Sequence, residues 1–222
     1  MRDPEDELAA LRDAELLRRL RPVDAVDPPG LTIDGRELLN FSSNDYLGLS
    51  VHPALKDAAA EALERFGTGS TASRLVCGSL KVHHDLEETI ARCKGTEAAL
   101  AFSSGYAAAV GTVTALAGTG DTVILDKLCH ASLVDGARQS GATVRVYPHN
   151  HLDKLERLLV STREKTTADG RVLVISESVF SMDGDRAALR EIVDLKDRHG
   201  ALLLLDEAHA VGILGPGGQG LA

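Results

Sequence analysis

Ala201-Leu202-Leu203-Leu204-Leu205 runs straight into Asp206-Glu207-Ala208-His209. A short, wholly apolar run cut off by acids reads as a buried strand that presents its first polar side chains at its carboxyl end. Asp206 is therefore expected to be buried or nearly so, and a buried carboxylate needs a partner. Working back along the chain, strand-like runs recur at Ala98 to Phe102, Thr122 to Leu125, Thr143 to Tyr147 and Arg171 to Ser176. Helical patterns fill the intervals, at Tyr106 to Ala117, Ala131 to Ser140, Leu152 to Val160 and Ala187 to His199. Such alternation implies right-handed crossovers, so the fold class is α/β, with a mainly parallel sheet covered by helices on both faces. Ligands of such sheets bind beyond the carboxyl ends of the strands, which is where chemistry is expected.

Ahead of that rhythm, Leu8, Leu11, Leu17 and Leu20 recur at roughly helical spacing among charged residues. The pattern predicts an amphipathic helix from Glu5 to Leu20, ended by Pro22. Pro22 to Gly35, rich in Pro, Asp and Gly, reads as a connector, and Pro53 to Phe66 as a helix opened by proline and closed before Gly67. Residues 1–50 are thus expected to form an arm and connector, and residues 51–222 a larger domain.

Composition narrows the function. A formal net charge of -9, from 24 basic and 33 acidic residues, argues against a general nucleic-acid binder but allows a local anion pocket. Cys77, Cys93 and Cys129 show no C-x-x-C spacing, which argues against a disulfide framework and a zinc site and suits a reducing cytoplasm. Met1 to Leu20 lacks the apolar core of a secretion signal, and the apolar runs elsewhere are too short to cross a bilayer. His83 with His84, and His149 with His151, lack zinc-enzyme spacing and read as surface histidines, so no metal is expected. Gly215, Gly217 and Gly220 spell a dinucleotide-type pattern, but it starts well past the last strand and leads into no visible helix. Neither G-x-S-x-G nor a Walker-type sequence is present.

Each strand end carries a candidate beside a plainer reading. Ser103-Ser104-Gly105-Tyr106 opens a helix, where free amides and the helix dipole suit a phosphate; the plainer reading is a serine cap. His130, just before a helix, could stack on a flat ligand or simply cap. Glu177 to Asp185 is a polar loop with Phe180 and Met182 as apolar anchors, either functional or an Asp-Gly turn. Asp206 could pair with a protonated heterocyclic nitrogen or with a local arginine.

Taken in order, these residues resemble the α-oxoamine synthases, a family of fold-type-I pyridoxal-phosphate enzymes. The resemblance spans about Leu39 to Gly220. It rests on Asn40-Phe41-Ser42-Ser43-Asn44-Asp45-Tyr46-Leu47-Gly48-Leu49, Gly67-Thr68-Gly69-Ser70, Ser73-Arg74-Leu75-Val76 with Gly78, and Ser103 to Tyr106. His130-Ala131-Ser132, Glu177 to Asp185 and Asp206 to Gly212 complete it. The family implies pyridoxal 5'-phosphate as cofactor, with the amides of Gly105 and Tyr106 on its phosphate, His130 stacked on its ring and Asp206 on the ring nitrogen. Ser181 and His209 lie near the phenolic oxygen, Asn44 approaches the substrate, and Arg18 meets a substrate carboxylate. The implied reaction is decarboxylative condensation of an amino acid with an acyl thioester. Phe41 to Ser50 and the 177–185 loop resemble the biotin-pathway members, which join L-alanine to a pimeloyl thioester, carried on CoA or an acyl carrier protein. Sister members use glycine or serine. The family also implies a homodimer in which Gly67 to Gly78 reaches the neighbour's cofactor.

The family's Schiff-base lysine follows the Asp-Glu-Ala-His segment at some distance. None of Lys56, Lys81, Lys94, Lys127, Lys154, Lys165 and Lys196 matches its motif. The resemblance therefore implies the amino-terminal portion of a longer enzyme, lacking the last strands and a small carboxyl-terminal domain, inactive alone and poorly soluble. A lysine-less partner subunit is the competing explanation.

Overall fold

The computed structural model describes residues 3–163 and 170–222, in two compact units, Met1–Gly69 and Ser70–Ala222. In the first, helix α1 spans Pro4–Asp13. Asp3 caps it by accepting the amide of Glu5, and Glu5, Asp6 and Glu7 oppose the positive end of its dipole. The helix predicted over 5–20 stops early because Glu15 turns to φ 56°, sending the amides of Leu16 and Leu17 back to the Leu11 carbonyl.

The predicted connector over 22–35 is instead mostly sheet. Strands β1 (Ala25–Asp27), β2 (Gly30–Ile33) and β3 (Arg36–Leu39) form an antiparallel meander. Ile33 pairs with Arg36 across Asp34-Gly35, both at positive φ (52° and 70°), the two-residue hairpin turn that Asp-Gly favours. Helix α2, Pro53–Phe66, matches the predicted helix, with proline in its first turn and Gly67 at its end.

The first helix of the second unit is α3 (Lys81–Lys94). Then come α4 (Gly105–Leu116), β4 (Thr122–Asp126), α5 (Ala131–Gln139), β5 (Thr143–Tyr147), α6 (Leu152–Arg163), β6 (Val172–Glu177), α7 (Leu189–Arg198) and β7 (Leu202–Asp206). The sheet order is β5-β4-β6-β7 and every pairing is parallel. Strands β4 and β6 lie in the middle and are buried throughout. Their side chains alternate between two cores, as the two-residue period of a strand requires. Ile124 and Val174 pack with Leu155, Leu159 and Ile192, from α6 and α7. Val123, Leu125, Leu173 and Ile175 pack with Val113 and Leu133, from α4 and α5.

Three expectations need correction. Residues 98–102 form no strand: the Ala101 amide donates to Oε1 of Glu87 (2.8 Å) and its carbonyl accepts from Arg74 (3.4 Å), so side chains take the place of a ladder. Leu202 to Asp206 are exposed or half-buried, Asp206 among the half-buried, because β7 has only β6 as a neighbour among the described residues. His149 is no surface histidine, its side chain being only 25% exposed between Asp126 and Asp185. Among the described residues no helix is long and apolar enough to cross a membrane.

Candidate active site

The carboxyl ends of β6 and β7, the loop that follows β4 and the amino ends of α4 and α5 converge on a cavity of about 480 Å³. Gly105, Tyr106, His130, Glu177, Ser181, Asp206 and His209 line it, beside apolar walls that include Ala109, Leu133 and Leu205. That volume suits a cofactor-sized ligand, and the position is where open parallel sheets hold their ligands.

At the start of α4, Ser104 caps the helix by accepting the Ala107 amide (3.1 Å). The amides of Gly105 and Tyr106, the two residues before it, donate to no described residue and lie on the cavity wall. Two such donors at the positive end of a twelve-residue helix could hold an anion. The Tyr106 hydroxyl bonds Oδ2 of Asp135 at 3.2 Å, tying α4 to α5.

His130 combines both readings of its sequence position. It is the N-cap of α5, its Nδ1 accepting the Ser132 amide at 3.2 Å, and it also lines the cavity. Acceptance at Nδ1 places the proton of a neutral ring on Nε2. Its main-chain amide donates to Oε1 of Glu177.

Glu177 was visible in the sequence only as the first residue of a polar loop. It is 2% exposed, and its carboxylate also receives the Ser181 amide. Burial raises its pKa, as does the nearby Asp206, while the amides of His130 and Ser181 act in the opposite sense. The signal that marks it is its place at the end of a fully buried strand, in register with Asp206.

Asp206 accepts the Ala208 amide at Oδ1 (2.9 Å), and its main-chain carbonyl accepts from Ser178 (2.8 Å). Glu207 also lines the cavity, but its carboxylate is taken up by Lys94 and the amides of Leu221 and Ala222. Burial would raise its pKa, but Lys94 and the amides of Leu221 and Ala222 outweigh that and lower it. Arg18 and Asn44, the predicted substrate residues, belong to the first unit. Arg18 is exposed beyond α1, and the Asn44 side-chain oxygen accepts the Tyr46 hydroxyl at 3.5 Å.

The second unit thus brings together all the predicted cofactor residues: Gly105, Tyr106, His130, Ser181, Asp206 and His209. Free amides for a phosphate, an imidazole for the face of a flat ring and a carboxylate for a protonated ring nitrogen are a donor set that fits pyridoxal 5'-phosphate.

Residues 36–220 match the family described as aminotransferase class I and II. The chain belongs to this family. Within it, the chain is 51% identical over 217 residues to an 8-amino-7-oxononanoate synthase of Geotalea daltonii, covering 98% of the chain and 54% of that protein. It is 52% identical to the 8-amino-7-oxononanoate synthase of Geobacter sulfurreducens, again covering 54% of it. The chain thus spans about half the length of the curated relatives it matches. Among solved structures it is similar to the serine palmitoyltransferase of Sphingomonas wittichii, with TM-score 0.89, 37% identity, and 97% of this chain and 54% of that one covered. A serine palmitoyltransferase from S. paucimobilis with a bound PLP–myriocin aldimine gives TM-score 0.87 at 35% identity, covering 97% of this chain and 54% of that one. An 8-amino-7-oxononanoate synthase from Francisella tularensis gives 0.66 at 30%, covering 81% and 48%. The expected α/β class holds: the fold is that of the fold-type-I PLP-transferases.

Proposed function

We propose that this aminotransferase-family chain serves a pyridoxal-phosphate-dependent 8-amino-7-oxononanoate synthase, which joins L-alanine to a pimeloyl thioester with loss of carbon dioxide in biotin biosynthesis. The observation that carries the reading is one cavity lined by the α4 amides, His130 and Asp206. The pimeloyl specificity is supported by relatives named 8-amino-7-oxononanoate synthase at about half identity.

Bound there, pyridoxal phosphate supplies an electron sink for the substrate's α-carbon. The amides of Gly105 and Tyr106 hold the phosphate and fix the ring's position. His130 packs its imidazole on the ring face, with Nδ1 held by Ser132 so that the imidazole keeps one orientation. Asp206 keeps a proton on the ring nitrogen, which deepens the sink. Ser181 and His209 bind the phenolic oxygen, and Glu177 holds His130 and Ser181 in place through their amides. Arg18 is assigned to a substrate carboxylate, and Asn44 to the substrate carboxylate or acyl group.

No described lysine lines the cavity. The reading assigns the lysine that takes the α-proton to sequence outside this chain, so residues 1–222 alone are inactive. Residues 1–50 are the arm and 51–222 the cofactor domain of a cytoplasmic homodimer, Gly67 to Gly78 reaching the partner's site.

A second reading, condensation of L-serine with a long acyl thioester, is favoured by the higher TM-scores to serine palmitoyltransferases. The test is a product assay by mass spectrometry on the full-length protein. It offers L-alanine, glycine and L-serine, each against pimeloyl-CoA, pimeloyl-acyl carrier protein and palmitoyl-CoA. Formation of 8-amino-7-oxononanoate from L-alanine is expected; turnover confined to serine or glycine overturns the assignment. Activity that appears only with a second, lysine-bearing subunit added supports the partner-subunit reading.

A further inference from the structure

Ser181 reaches the cavity on a hairpin that is fastened from behind. Within the hairpin the Phe180 amide donates to the Asp185 carbonyl (3.0 Å), the Gly184 amide to the Phe180 carbonyl (2.8 Å), and Val179 bridges Arg186. Phe180, 1% exposed, meets the His149 ring edge-on, centroids 4.4 Å apart and planes at 85°. The His149 ring stands between two carboxylates. Its Nδ1 lies 3.1 Å from Oδ1 of Asp126, at the end of β4, and its Nε2 lies 2.8 Å from Oδ2 of Asp185, in the hairpin. Asn150 runs alongside, its main-chain amide donating to Oδ2 of Asp126 (2.9 Å) and its side chain to Asp185 and the Arg186 carbonyl (both 3.1 Å).

An ionised carboxylate only accepts, whereas a neutral imidazole has one N–H and one bare nitrogen. With a carboxylate at each nitrogen, only the imidazolium makes both bonds. Burial opposes that charge, but Asp185 and Asp126 outweigh it and hold the pKa of His149 above its ordinary value of 6.5. Cys129 and Tyr147, which also feel Asp126, are pushed up first by burial and then by that carboxylate, and so stay neutral.

We infer that protonated His149 is a positioning residue that clamps the 178–186 hairpin to β4 and thereby sets Ser181 at the cavity. Loss of the proton releases one carboxylate and loosens the hairpin. The link to cofactor binding rests on the function proposed above; the clamp itself does not.

Hydrogen exchange at the Phe180 and Gly184 amides of the full-length protein tests this. It is measured without added cofactor, corrected for intrinsic rates and followed across the titration of His149. Protection is expected to fall about tenfold as pH rises through the His149 pKa, the usual weight of one charge-assisted hydrogen bond. His149→Gln should give the low protection at every pH, together with weaker pyridoxal-phosphate binding that does not vary over that range. Asp185→Asn, which keeps the ring and removes one charge, should move the midpoint to lower pH. Wild-type protection that stays flat while His149 titrates by NMR overturns the proposal, as does an unmoved midpoint in Asp185→Asn. An intact clamp in a protein that binds no pyridoxal phosphate counts against the cofactor reading instead.

Discussion

Glu177 and Asp206 are register partners on the adjacent parallel strands β6 and β7, so two carboxylates stand side by side at the strand ends. Their surroundings divide the work. Both border the cavity, but Glu177 is buried and its carboxylate accepts the amides of His130 and Ser181, whereas Asp206 is half-buried and accepts the Ala208 amide at one oxygen only. One acid positions loops; the other is available to a ligand.

Asp206→Asn should therefore weaken pyridoxal phosphate without unfolding the protein. Loss of a charged hydrogen bond of about 1.5–3 kcal/mol corresponds to roughly tenfold to hundredfold weaker binding. A fluorescence titration of the full-length variant checks it.

Glu177→Gln should relieve a pH-dependent cost. The raised pKa means the folded state holds the proton more tightly than the unfolded chain, whose value is near 4.5. The group's contribution is then most favourable below that value and is lost as pH rises through the folded pKa. The variant keeps an oxygen for the amide of His130, so thermal melts should show it gaining on the wild type as pH rises from about 4.5 towards neutrality.

Arg74→Ala should show the opposite dependence. Arg74, first through its hydrogen bonds and then through its charge, and the Ala101 amide hold the pKa of Glu87 down at about 2. That stabilisation is present above the unfolded value of 4.5 and disappears as pH falls towards 2. Melting of the variant should lie below wild type at neutral pH, and the gap should close in acid.

Gly136→Ala tests the packing that places the phosphate cradle. A methyl at Gly136 would lie 3.1 Å from Cβ of Val113 and 3.2 Å from Cα of Val110, so the facing wall of α4 has to give slightly. Overpacking costs about 1–3 kcal/mol against a helix-propensity gain of about 1 kcal/mol. A net loss of stability and weaker phosphate-dependent binding are expected, read by thermal melts and by titration with pyridoxal phosphate against pyridoxal.

Strands β4 and β6 were legible as short, mostly apolar runs because they are buried on both faces, and β5 and β7, which are more exposed, were legible from their β-branched or apolar runs set between helical periods. Ala98 to Phe102 carries the same local pattern yet pairs with no strand; whether an apolar run finds a ladder partner is a tertiary fact. The meander over 25–39 had its mark in Asp34-Gly35, which composition hid among prolines. The cavity residues were legible from their positions after the strands, together with the family resemblance. The roles of Glu177 and His149 were not, because each depends on partners far along the chain: Ser181 and His130 for one, Asp126 and Asp185 for the other.

The central claim is that the cavity at the ends of β6 and β7 holds pyridoxal phosphate in one orientation. A crystal structure of the full-length protein with the cofactor tests it most directly. The expected result places the phosphate on the amides of Gly105 and Tyr106, the ring against His130 and the ring nitrogen within hydrogen-bond reach of Asp206. A cofactor bound elsewhere, or with its ring nitrogen turned away from Asp206, would contradict it.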